Sequence, residues 1–168
     1  MSSLRKISSS RISPITTGIR NVTTRPVEIN EENFPDANFR SYVRSSFDSD
    51  DSGYLTDAKI AAVKEINVHS KSISNLKGIE HFTALEELYC YSNQLTSLDV
   101  SKNTALTYLS CFGNRLTSLD VSKNTALERL WCYSNQLTSL DVTKNTALKE
   151  LSCHGNRLTS LDVSQNTA

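Results

Sequence analysis

Four cysteines are the residues of this chain with the most chemistry to offer, and they recur at a single spacing. Cys90, Cys111, Cys132 and Cys153 lie 21 residues apart. Paired as Cys-x-x-Cys they would suggest zinc or redox chemistry, but no such pair occurs. If each stands on its own strand of a parallel sheet, the thiols form a straight row with a step of about 4.8 Å. A tetrahedral metal site cannot be built from a straight row, and side-by-side Cβ vectors suit a disulfide poorly. The expectation is four free thiols buried as small apolar fillers, a usage that fits a reducing or anaerobic setting. Other catalytic residue types are no better arranged. His69, His81 and His154 are scattered, and no Ser/His/Asp constellation, phosphate loop or His-Glu-x-x-His run occurs. His154 follows Cys153 directly, so strand alternation sends the two to opposite faces. Asp99, Asp120, Asp141 and Asp162, with Asn103, Asn124, Asn145 and Asn166, come one per repeat and read as turn and cap residues. The chain is expected not to be an enzyme.

The cysteines share a period because the whole C-terminal half does. Leu85-x-x-Leu88-x-Cys90-x-x-Asn93-x-Leu95 returns at Leu106, Leu127 and Leu148, each copy followed by Leu-Asp-Val and then Asn. Such units cannot bury their apolar faces alone and must stack, so the pattern specifies a solenoid. Leu88 and Cys90 alternate as a half-buried strand should. Leu85, Leu95, Leu98 and Val100 complete the core from the turns. Asn93, Asn114, Asn135 and Asn156 fall where the chain leaves the strand, and a buried amide there can bond backbone groups of its own and neighbouring coils. Val63, Ile66, Val68, Ile73, Leu76 and Ile79 repeat the spacing loosely, with one extra residue before Leu85. That makes about five coils of 21–22 residues.

This motif resembles the leucine-rich repeat family, strongly over 85–168 and loosely over 66–84. The resemblance implies an α/β repeat fold: a right-handed solenoid whose short strands form a parallel sheet on the concave side. The short unit looks like that of bacterial members.

Ahead of the repeats, residues 31–47 read as a helix with Phe39, Val43 and Phe47 on one face and Tyr42 beside them. Pro35 and Asp36 serve as start signals. Asp48-Ser-Asp-Asp-Ser-Gly53 is a turn cluster. A second short helix should follow, capped by Thr56 and carrying Ile60, Val63 and Ile66 inward. The helix–turn–helix also resembles an EF-hand. Asp48, Asp50, Ser52, Gly53 and Leu55 match its loop positions one, three, five, six and eight, which makes calcium a weak candidate ligand. Position twelve, where that family places a bidentate acid, is Lys59. A helical cap before leucine-rich repeats looks like the arrangement of internalin-like bacterial surface proteins. The expected division is therefore a disordered Ser/Thr/Arg-rich tail over 1–27, a helical EF-hand-like cap over 28–65 and the solenoid over 66–168. The chain stops at Ala168, just before the Leu of another unit, with no polar cap in view, so the expectation is further repeats, a frayed last coil or a covering molecule.

Charge narrows the partners. Formal net charge is zero, which disfavours nucleic acid, although Arg5, Lys6, Arg11, Arg20 and Arg25 face no acid before Glu28. No apolar run is long enough to insert into a membrane. The tail shows no apolar stretch of a secretory signal, its composition also fits a transit-like or non-cleaved export signal, and Asn21-Val22-Thr23 is a formal glycosylation acceptor. The family resemblance nonetheless implies an extracellular or cell-surface setting.

The positions left free by the fold carry the functional reading. Residues flanking each cysteine must point out of the sheet: Tyr89, Ser110, Trp131 and Ser152 before it, Tyr91, Phe112, Tyr133 and His154 after it. Glu87, Tyr108, Arg129 and Glu150 lie further upstream on the same face. An exposed aromatic stripe with charged neighbours resembles an interface, so Tyr89, Tyr91, Tyr108, Phe112, Arg129, Trp131, Tyr133 and His154 are the candidate partner-binding residues. The bland alternative is sheet stabilisation by stacked rings. A protein partner leads; a glycan, which also stacks on aromatics, and a purely structural or adhesive spacer remain open.

Overall fold

Leu88 alternates with Glu87 and Tyr89, and that alternation alone sends the leucine into a core and its neighbours away from it. The computed structural model describes residues 25–168 and shows the corresponding strand in every coil. β3 (Glu65–Asn67), β4 (Glu87–Tyr89), β5 (Tyr108–Ser110), β6 (Arg129–Trp131) and β7 (Glu150–Ser152) form one parallel sheet in chain order. Leu88, Leu109, Leu130 and Leu151 pair in one row. β3 pairs Glu65 with Glu87, so the first coil holds one residue more than the others. The fold is the parallel leucine-rich-repeat solenoid that the repeat specifies.

Two asparagine ladders close the turns. Asn114 accepts from the Leu95 N–H at 3.0 Å and donates to the Cys90 and Cys111 carbonyls at 3.0 Å each. Asn135 and Asn156 repeat these bonds one and two coils on. The second ladder is formed by asparagines that read as turn residues in the sequence, and their side chains turn inward. Asn103, Asn124 and Asn145 are wholly buried, each donating to two carbonyls of the preceding coil. Each of those carbonyls already accepts one backbone N–H within its own turn, and the inward amide fills its second lone pair and ties adjacent coils together. The aspartates do sit in exposed turns. Asp99, Asp120, Asp141 and Asp162 each accept from the backbone N–H two residues on, at 2.8–2.9 Å.

Burial fades towards the last coil. Leu151, Cys153 and Leu158 are only half-buried, and Leu161 and Val163 are exposed, at 37% and 49%.

β1 (Val27–Glu28) pairs antiparallel with β2 (Tyr54–Leu55). α1 (Ala37–Phe47) begins later than the expected residue 31. Asn30 turns the chain on itself by accepting from the N–H groups of Glu32 and Asn33, and Asp36 then caps the helix through Asn38 and Phe39. α2 (Asp57–Ala62) is capped by Thr56 as expected but is only six residues long. Val63 terminates it, and Ile66 belongs to β3 instead of the helix. α1 packs on the first coil. Tyr42 Oη accepts from Asn67 N–H at 3.1 Å, Asp36 Oδ2 accepts from Ser74 N–H at 2.8 Å, and Phe47 meets Phe82 at 5.4 Å between centroids. The tail expected over 1–27 lies outside the described residues up to 24, and Val27 already belongs to β1. No helix among the described residues is long and apolar enough to cross a membrane.

Candidate interaction face

The sheet's outward side carries three columns of side chains, one residue per coil in each. The column after the cysteines is a continuous stack of rings. Tyr91 and Phe112 lie 4.5 Å apart with 9° between planes, Phe112 and Tyr133 4.3 Å apart with 8°. Tyr133 stacks on His154 at 4.6 Å, and His69 stacks on Tyr91 at 4.6 Å. His69 was not among the residues singled out from sequence. Its signal was nevertheless there, because Val68 occupies the place of Cys90 and the next residue must join the column. Adjacent coils set this geometry: ring-bearing strand residues in register lie about one strand spacing apart, close to the contact distance of two parallel rings.

The column before the cysteines is uneven. Trp131 stands between Ser110 and Ser152 on the paired strands. Large and small side chains alternate there, leaving the indole without a ring beside it in its own column. The third column holds the charges: Glu65, Glu87, Arg129 and Glu150, interrupted by Tyr108.

Tyr108 corrects an expectation. It lies on the outward face but is 5% exposed, not open. Tyr89 and Trp131 meet it edge-on at 5.0 and 5.3 Å, and the Arg129 guanidinium covers its ring at 4.7 Å. It is thus a base on which its neighbours rest. Tyr89 donates to Glu87 Oε2 at 2.5 Å, and burial, followed by that carboxylate, holds its hydroxyl well above the usual phenol range. His154 Nδ1 lies 3.2 Å from Ser152 Oγ. Trp131, Tyr89 and Arg129 therefore close over Tyr108, with the ring column on the same outward side of the sheet.

On the sheet's inner side Cys90, Cys111 and Cys132 are buried free thiols, and Cys153, in the last coil of this chain, is a half-buried one. Burial pushes Cys90 and Cys132 up to about 12 and Cys111 well above its usual value. At neutral pH they are protonated and inert.

The calcium candidates converge as well. Asp48 Oδ1, Asp50 Oδ1, Ser52 Oγ and the Tyr54 carbonyl surround Lys59 Nζ at 2.7, 2.5, 3.1 and 2.8 Å.

Comparison with known proteins matches this architecture. A family model for leucine-rich repeats (two copies) fits residues 104–145. Internalin J of Listeria monocytogenes serotype 4b (strain F2365) is 43% identical over 71 residues, 42% of this chain. The functional domain of InlJ from Listeria monocytogenes, which includes a cysteine ladder, superposes with a TM-score of 0.80 at 41% identity, covering 86% of this chain and 32% of that one. The chain is internalin-like in its repeats and in its fold. An internalin, InlF, of Listeria monocytogenes strain 4b F2365 shares the fold at 22% identity and a TM-score of 0.64, over 86% of this chain and 49% of its own. The internalin-like chain spans 8% of the length of the curated relatives it matches. Its own row of free thiols parallels the cysteine ladder of the InlJ domain.

Proposed function

We propose that this chain binds a protein through the outward face of its sheet, the concave side in this family, with Trp131 as the central anchor. The observation that carries the reading is the setting of that indole. It projects between Ser110 and Ser152, rests edge-on against Tyr108, and has Arg129 two residues back on the same face of its own strand. A large amphipathic ring beside a guanidinium and bordered by small residues is the composition of an interface hot spot. Tyr89, Tyr91, Phe112, Tyr133 and His154 widen the surface around it, while Tyr108 supports it from below.

The glycan alternative is weakened by the ring column. Sugars bind aromatics through their faces, and both faces of Tyr91, Phe112 and Tyr133 are covered by neighbouring rings. The column presents edges and hydroxyls, which suit a peptide surface better. An extracellular or cell-surface setting and a non-enzymatic role belong to the same proposal. The test is to probe arrays of surface proteins and of glycans with wild type and with Trp131→Ala. A protein ligand whose affinity falls about 30-fold, equivalent to roughly 2 kcal/mol, supports the reading. Glycan hits alone, or protein hits indifferent to Trp131, overturn it.

A further inference from the structure

We propose that the 48–59 loop is a cation site whose resident cation is the chain's own Lys59 ammonium, so that the helical segment is held without calcium and a single substitution turns the loop into a calcium site. The oxygens that meet Lys59 Nζ are those of Asp48, Asp50, Ser52 and the Tyr54 main chain. These are positions one, three, five and seven of a twelve-residue calcium loop, the last through its carbonyl, which is the set such a loop offers to a metal. Position twelve would normally add two carboxylate oxygens. Here it supplies the charge being bound.

The rest of the loop geometry agrees. Gly53, at position six, has φ +77° and no atom near the place of a Cβ, as the sharp bend requires. Leu55, at position eight, is fully buried and pairs with Val27 across the short β1–β2 ladder. Asp48 is the hub. Its side chain is 0% exposed and also accepts from the N–H groups of Ser52 and Gly53 at 3.2 and 2.8 Å. Lys59 comes from the first turn of α2, and its side chain is 16% exposed. Four contacts exceed the three N–H bonds of an ammonium, and the hydroxyl, the weakest acceptor present, takes the longest. A divalent ion would balance both facing carboxylates; the ammonium supplies one of those two positive charges and contacts both side chains. Being part of the chain, the ammonium is present at any calcium concentration.

Wild type should give no saturable heat with calcium chloride in titration calorimetry, and its melting temperature should be the same in calcium and in chelator. Lys59→Gln leaves Asp48 and Asp50 without their cation and should melt several degrees lower. Lys59→Glu restores the bidentate position. It should bind one calcium and recover melting temperature on calcium addition, and Asp50→Asn in that background should abolish the recovery. Amine acetylation of native wild type, mapped by peptide, needs no variant: Lys59 should react far more slowly than Lys64 and Lys149, whose side chains are 56% exposed. Saturable calcium binding by wild type, equal labelling of Lys59 and Lys64, or a Lys59→Glu protein that folds yet ignores calcium would overturn the proposal.

Discussion

Trp131 and Leu130 are neighbours in sequence and opposites in structure. Leu130 is fully buried, whereas the Trp131 indole lies on the outer face. Leu130→Ala should cost about 2–5 kcal/mol, because a core truncation loses transfer energy and leaves a cavity. Trp131→Ala should cost clearly less in a thermal or denaturant melt while carrying the binding loss. Equal destabilisation by the two would place the indole in the core and remove the binding argument. The thiols divide in the same way. Cys153 should be alkylated first in the native protein, and Cys90, Cys111 and Cys132 only after unfolding, since burial both shields them and keeps them protonated. Mass spectrometry of a timed alkylation reads the order; simultaneous labelling of all four contradicts it. At this scale sequence could assign a column but not a depth. That Tyr108 faces outward follows from alternation, but its burial depends on Tyr89, Trp131 and Arg129 closing over it. Likewise, position twelve announced the loss of an acid at Lys59, while the return of its ammonium to the loop needed the side-chain path.

Among the elements, the turns that carry the asparagine ladders hold the coils in register. Asn114→Ala would orphan the buried Leu95 N–H, whose acceptor is that amide oxygen. The expected loss is roughly 1–3 kcal/mol. Asn156→Ala removes the same bond from Leu137 in a coil open to water, so its loss should be smaller in a paired denaturant melt. Equal losses would mean that desolvation is not what sets the cost. The α1 terminus offers a pH test. Partial burial raises the Asp36 pKa, but hydrogen bonds from Ser74, Phe39 and Asn38 outweigh it and leave the value below its ordinary 3.8. A lowered folded-state pKa means that stability from this group is present above that ordinary value and is lost as pH falls through the folded one. Asp36→Asn keeps a capping side chain without the charge. Its melting temperature should therefore depend less on pH below about 4 than that of wild type. Identical acid limbs would show that the Asp36 charge contributes nothing. Element identity was legible throughout the repeats, where period and alternation agree. It was less so around α1, because the Asn30 turn and Asp36 cap compete with helix over residues 31–36, and α2 yields to β3 at Val63. Ser92, Gly113, Ser134 and Gly155 all adopt positive φ after the ring column. Ser70, also at positive φ, lies beside Ser92, so the Ser/Gly alternation is not a steric requirement.

For the molecule as a whole, order runs from the helical end to the open one. α1, β2 and the turn before α1 bring Phe34, Phe39, Val43 and Leu55 into the same core as the first coil, whereas the last coil leaves Leu161 and Val163 exposed. Hydrogen exchange should therefore be slowest in β3–β5 and fastest across residues 148–168 of this chain. Uniform protection would indicate one cooperative unit with no gradient. The sequence announced the covered end, since helix signals and a divergent first coil precede the regular repeats.

The ring column also makes the solenoid its own optical instrument. Tyr91, Phe112 and Tyr133, with His69 and His154 at the ends, are held nearly parallel at 4.3–4.6 Å, close enough for their electronic transitions to couple. Near-ultraviolet circular dichroism, which depends on fixed side-chain packing, will respond to the spacing of successive coils as well as to the presence of folded chain. A partner that wedges the coils apart, or closes them further, will change that spectrum without any label and without unfolding a single strand.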